Sequence, residues 1–179
     1  IGFETTTPPT ALLIQEADQI DCANLSVFCN HVLTPVAMDS LLRSGDVVLD
    51  GFVGPAHVSI VIGSAAYESV SQRYQKPIVI SGFEPLDLLH SLLMLIQQVN
   101  EGRCEVEIQY TRAVGASGNV RAQEIMDRVF ELRKEYEWRG LGFIPYSGLK
   151  IKTAYARFDP EARFSLPQTV SKEHKACQC

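Results

Sequence analysis

Residues 77–100 read Pro77-Ile-Val-Ile-Ser-Gly-Phe-Glu-Pro85-Leu-Asp-Leu-Leu-His-Ser-Leu-Leu-Met-Leu-Ile-Gln-Gln-Val-Asn100. Pro77–Ile80 is a short apolar run of strand length. Glu84-Pro85 then places a cap residue before a proline at the first helical position, where the missing N–H has no partner to lose. From Pro85 onward, Leu86, Leu89, Leu93 and Ile96 form one apolar stripe, and Leu88, Leu92, Leu95 and Val99 form a second beside it. Two adjoining stripes predict a helix with a wide buried face.

The same strand-then-helix grammar repeats along the chain. Short apolar runs at Ile1–Phe3, Leu25–Cys29, Val47–Leu49 with Phe52–Val53, and Cys104–Tyr110 are the other strand candidates. Helical patterns cover 8–20, 35–43, 57–74 (broken at Gly63) and 119–137. Thr7-Pro8 and Thr34-Pro35 repeat the cap-proline start, and Asn119 caps the last helix. Such alternation predicts an α/β fold with an open, mostly parallel sheet and helices on both faces. The expected organisation is one α/β domain over 1–145. Residues 146–179, where the apolar periodicity fades, are expected to pack on a part of the molecule outside the chain.

At 179 residues, the chain is about one domain long. Hydrophobic residues make up 46% and charged residues 21%, an ordinary globular balance that excludes disordered and collagen-like classes. No apolar run reaches membrane-spanning length. The net charge of -5 is uneven: residues 1–100 carry -7 and 101–179 carry +2. An acidic first half argues against a nucleic-acid partner, because a phosphate backbone needs a basic surface. Five cysteines, Cys22, Cys29, Cys104, Cys177 and Cys179, make an odd count, which fits a reducing cytoplasm better than a disulfide framework. Cys29 and Cys104 read as small buried apolar residues. Cys177 and Cys179 are two thiols one residue apart, a pattern that can serve metal or redox chemistry.

A near-repeat marks the chemistry. Gly2-Phe3-Glu4, Gly51-Phe52-Val53 and Gly82-Phe83-Glu84 each attend an apolar run and precede a proline. In a parallel sheet the strand-to-helix loops emerge together at the carboxyl edge, where such folds bind ligands. Glu4, Thr5, Thr6, Asn30, His31, His57, Glu84 and Arg112 would share that rim. The alternatives are helix capping for Glu4 and Glu84, turn formation for Thr5 and Thr6, and structural hydrogen bonding for His31 and His57. Phosphate-loop, dinucleotide, nucleophile-elbow and zinc-protease motifs are all missing.

Ile1-Gly-Phe-Glu-Thr-Thr-Thr-Pro8 resembles the GFETTAP motif of the HypD family of hydrogenase-maturation scaffolds. The likeness runs on through His31–Pro35, Gly51–Val58, Ser81–Asp87, Gln109–Arg112, Glu137–Pro145, Ser147–Lys150 and Cys177–Cys179. It implies a protein that works with HypC-like and HypE-like partners to assemble the Fe(CN)2CO group of NiFe-hydrogenases, and that carries a 4Fe-4S cluster. It also implies two Rossmann-like α/β domains plus a cluster-binding region. The present chain would be a central fragment, its first strand truncated, active only in the longer protein. On that reading, Glu4, Thr5, Thr6, His57 and Glu84 position groups or handle protons at the assembly site without binding metal. The fragment itself holds no cofactor, and Cys177 and Cys179 are its only metal-ligand candidates. Two other readings stay open. One is a small-molecule enzyme using Glu4, His57 and Glu84 as acid and base groups. The other is an interaction domain with exposed apolar surface.

Overall fold

The computed structural model describes residues 2–45 and 48–166. Its centre is a parallel sheet of β1 (Phe52–Pro55), β2 (Ile78–Ser81) and β3 (Val106–Ile108), in that order. Helices α3 (Ala56–Ile62) and α4 (Glu68–Tyr74) connect β1 to β2, and α5 (Pro85–Glu101) connects β2 to β3. The expected mixed α/β fold is therefore present.

The register explains why β2 reads as a continuous apolar run. Phe52, Ile78 and Val106 lie side by side, and so do Gly54, Ile80 and Ile108. These residues form one face of the sheet, which packs on Ala56, Tyr67 and Val114. Val79 alternates to the other face and is equally buried. A central strand covered on both sides has no polar face to show.

The break expected at Gly63 occurs: α3 stops there at φ +82. A Cβ at Gly63 would collide with the backbone of Ala116, Ser117 and Gly118. This glycine thus provides both a left-handed turn and a close approach of two chain segments.

A second layer surrounds α1 (Thr7–Gln19) and α6 (Val120–Val129). Here β4 (Phe130–Leu132) pairs antiparallel with β7 (Leu149–Ile151), and β5 (Glu135–Trp138) with β6 (Gly142–Pro145). Ala11, Ile14 and Ala17 of α1 meet Cys29, Val129, Phe130, Leu149, Ile151 and Phe158 in a core of their own. A short helix, α2 (Thr34–Arg43), precedes the central sheet.

Five expectations need correction. The helix expected over 119–137 stops at Val129, and 130–138 forms β4 and β5. Glu131, expected inside that helix, instead forms a cross-strand pair with Lys150 at 2.8 Å. Leu25–Cys29 forms no strand, although Val27 N–H donates to Phe158 O. Val48 and Leu49 form none either, and Val47 lies outside the described residues. Of the first expected strand only an isolated parallel bridge, Gly2 to His31, is present, and Ile1 is not among the described residues.

The fifth correction concerns α5. Of its two leucine stripes only Leu95 is half-buried, beside Gly51; the others are exposed. The buried residues of α5 are Asp87, Ser91 and Gln98, while Leu86, Leu89, Leu93 and Ile96 are exposed. Of the segment from residue 146, β7 and Phe158 pack on this chain's own α1–α6 core.

Candidate functional site

The loop Gly2–Thr6 is pinned on both sides. Val32 N–H donates to Gly2 O at 3.0 Å, and Gly2 N–H to Asn30 O at 3.3 Å. The Thr6 and Thr7 hydroxyls both donate back to Phe3 O. A Cβ on Gly2 would overlap the Thr6 hydroxyl, so the loop closes this tightly only with glycine.

Glu4 is the centre of this loop and is wholly buried. Its Oε1 accepts from Thr34 N–H at 2.6 Å, and its Oε2 from the Thr34 hydroxyl at 2.9 Å. Thr34 opens α2, whose own cap residue, Leu33, makes no side-chain cap bond. Glu4 therefore caps α2 from thirty residues away, satisfying a donor that the helix leaves unpaired. Burial pushes its carboxyl above the usual range, and the Thr34 bonds only partly oppose that.

Thr5 is half-buried on this loop, and the Thr6 hydroxyl lies 3.4 Å from His31 Nδ1. His31 is buried edge-on against Phe130 at 5.7 Å, and burial lowers its pKa below 6.5. Asn30 Oδ1 accepts from the Tyr136 hydroxyl at 3.3 Å. Trp138 leans on Phe3, with ring centroids 6.4 Å apart, and its indole N–H donates to the buried Ser147 hydroxyl. The β5–β6 hairpin thus borders the loop, a neighbour that sequence reasoning missed because most of β5 read as the end of a helix.

A second group forms where β1 and β2 end. The His57 ring sits 5.0 Å from that of Phe83, and both residues are exposed. Glu84 occupies the cap position of α5 but makes no cap bond; its carboxylate lies 3.4 Å from Arg112. Arg112 grips Asp87 through both terminal nitrogens, at 3.1 and 2.7 Å, and stacks over Tyr110 at 4.1 Å. Gln109 Nε2 donates to the same carboxylate, while Gln109 Oε1 accepts from Gly82 N–H. The Arg112 guanidinium holds the Asp87 carboxyl below the usual range.

Asp87 and Gln109 are thus the residues that orient Arg112. Sequence reasoning passed over Asp87 because it stands inside a leucine pattern. Its signal was the charge itself, one turn into an apolar helix.

The rim candidates consequently fall into two groups. Glu4, Thr6 and His31 belong to the α1 loop, and His57, Glu84 and Arg112 to the β1–β2 edge. Among the described residues no hydrogen bond or ion pair joins the groups. Tyr67 is a buried phenol pushed up to about 12, chiefly by burial. Glu4 is wholly buried, whereas His57 and Glu84 are exposed. The cleft of about 500 Å³ lined by Ser40, Leu41, Arg43 and Leu141 shares no residue with either group.

No group of three His, Cys, Asp or Glu side chains is placed to hold a metal among the described residues. Cys29 is buried, its thiol donates to Leu149 O, and burial raises its pKa, so it is a protonated packing residue. Cys177 and Cys179 lie outside the described residues.

What the fold and rim define is a mixed α/β protein that presents a pinned glycine–acid–threonine loop beside an arginine-centred edge. The family model described as "HypD: Hydrogenase formation hypA family" matches residues 1–179, and the chain belongs to that family. It is 58% identical over 184 residues to the hydrogenase maturation factor HypD of Azotobacter vinelandii, covering 100% of this chain and 48% of that protein. It is also 58% identical to the hydrogenase expression/formation protein HupD of Azotobacter chroococcum mcd 1, with the same coverage. With the HypD of Escherichia coli (strain K12) the identity is 43% over 177 residues, 98% of this chain and 48% of the relative. The chain spans about half the length of the curated relatives it matches. Among the described residues no helix is long and apolar enough to cross a membrane.

Proposed function

We propose that this chain is the α/β part of a scaffold that helps assemble the Fe(CN)2CO group of NiFe-hydrogenases with HypC-like and HypE-like proteins. The iron unit is the cargo of that assembly. Family membership supports a maturation role, and the buried Glu4–Thr34 clamp is the observation that carries the site.

A carboxylate spent on two hydrogen bonds inside the protein is a positioning group. It fixes the loop so that Thr5 and Thr6 stand at the edge of the fold beside Phe3 and Trp138. Two hydroxyls on a rigid backbone can hold or relay a proton for a polar ligand without reorganising. His57 and Glu84, with Arg112, form the polar part of the neighbouring edge, which suits a protein partner's surface.

The test uses the full-length family protein in cells lacking their own copy. Thr5→Ala and Thr6→Ala are expected to abolish hydrogenase maturation while leaving folding and abundance unchanged. Glu4→Ala is expected to lose maturation together with stability. Full maturation by the Thr5→Ala and Thr6→Ala proteins would remove the loop from the working surface. Co-purification with the HypC-like partner separates loss of assembly from loss of docking.

A further inference from the structure

Helix α5 is inside out by the ordinary rule for a sheet-packed helix. Its sheet-facing residues include Asp87, Ser91 and Gln98, all buried. Asp87 is tied to Arg112 and Gln109, and Gln98 Oε1 accepts from Glu105 N–H at 3.0 Å. These bonds fix the rotation of the helix about its axis. Turning it to bury the leucines would break them.

The outward face is correspondingly apolar. Leu86, Leu89, Leu93 and Ile96 are 78%, 64%, 54% and 56% exposed, at spacings of three and four that align them. Leu92 and Val99 widen the stripe. No Asp, Glu, Lys or Arg other than the buried Asp87 occurs between Pro85 and Asn100. The stripe meets the rim at Phe83, itself 63% exposed. A continuous apolar strip this long exceeds what a lone soluble domain usually shows to water.

We propose that this face is an intramolecular docking surface, covered in the full-length proteins of the family by the half of their chain that these residues do not span. The relatives are about twice as long as the matched region, so the covering surface is available on the same polypeptide. An uncharged leucine strip has the character of a core cut in half, which belongs to permanent association and not to transient partners. Tethering supplies the high effective concentration that makes such burial permanent.

The experiment uses the full-length family protein with Leu89→Cys or Leu93→Cys, and reads maleimide labelling at that site by peptide mass spectrometry. Glu124→Cys on the exposed face of α6 is the reference, and light scattering sets the oligomeric state. The expected result is labelling slower than the reference by about tenfold or more in a monomer. A Leu89→Glu/Leu93→Glu protein is expected to unfold at lower temperature while remaining monomeric. Labelling at the reference rate in the monomer overturns the proposal. Protection that appears only with dimer formation overturns it as well, because a second copy is then the occupant. The Proposed function stands or falls separately, on maturation by the Thr5 and Thr6 variants.

Discussion

Glu4 shows how one side chain can do the work of a local cap. Proline follows Thr34 and Leu33 offers no acceptor, so the first turn of α2 depends on an acceptor from elsewhere. Removing the Glu4 carboxylate orphans the Thr34 N–H and hydroxyl together. Glu4→Ala should therefore cost about 1–3 kcal/mol in denaturant unfolding, the range for losing a cap and a charge-assisted bond. Glu4→Gln keeps an acceptor for the N–H and should cost clearly less.

His31 and Glu4 are neighbours on the same chain crossing, yet burial moves their pKa values in opposite directions. For His31 the folded value is depressed, so its contribution is present above the unfolded value near 6.5 and lost as pH falls through the folded value. For Glu4 the folded value is raised. Its contribution is full below the unfolded value of 4.5 and is lost as pH rises through the folded one. Between these limits the two slopes oppose each other. Urea titrations from pH 7 downward should show stability falling less steeply in His31→Phe than in the parent. An unchanged slope would mean that His31 is not the group responsible.

At the scale of elements, helical periodicity misled beyond residue 129 and capping informed. Asn119 does cap α6, accepting from Ala122 N–H at 3.0 Å, because an Asn before a helical run has a local role that needs no tertiary partner. The prolines mark helix starts correctly for the same reason. By contrast, Glu131 and Lys134 fall within the expected helix, yet Glu131 lies in β4 and Lys134 just before β5. A strand's partner, here β7, is not visible from the strand itself. The 3-10 turn Thr153–Phe158 shows the same dependence. It is weakly patterned, yet it delivers Phe158, 1% exposed, into the core under α1 and α6. Phe158→Ala should lower stability by about 3–5 kcal/mol, measured by urea unfolding, because a fully packed ring leaves a cavity. A cost below about 1 kcal/mol would show that the segment does not hold this core together.

Across the whole molecule, the sequence by itself determined the elements whose causes are local. The apolar run of β2, the proline and asparagine helix starts and the break at Gly63 are set by backbone chemistry within a few residues. So, on a larger scale, is the α/β class that their alternation implies. It also placed the glycine–phenylalanine–acid motifs at loop positions. Only the tertiary structure decided which side of α5 faces the sheet, because that depends on Arg112, Gln109 and Glu105 reaching polar groups that the leucine count ignores. Only the tertiary structure divided the rim into two groups and turned Glu4 inward. The partner that claims Glu4 is a helix N-terminus thirty residues on, and a periodic reading records spacing along the chain, not which segments fold back to meet.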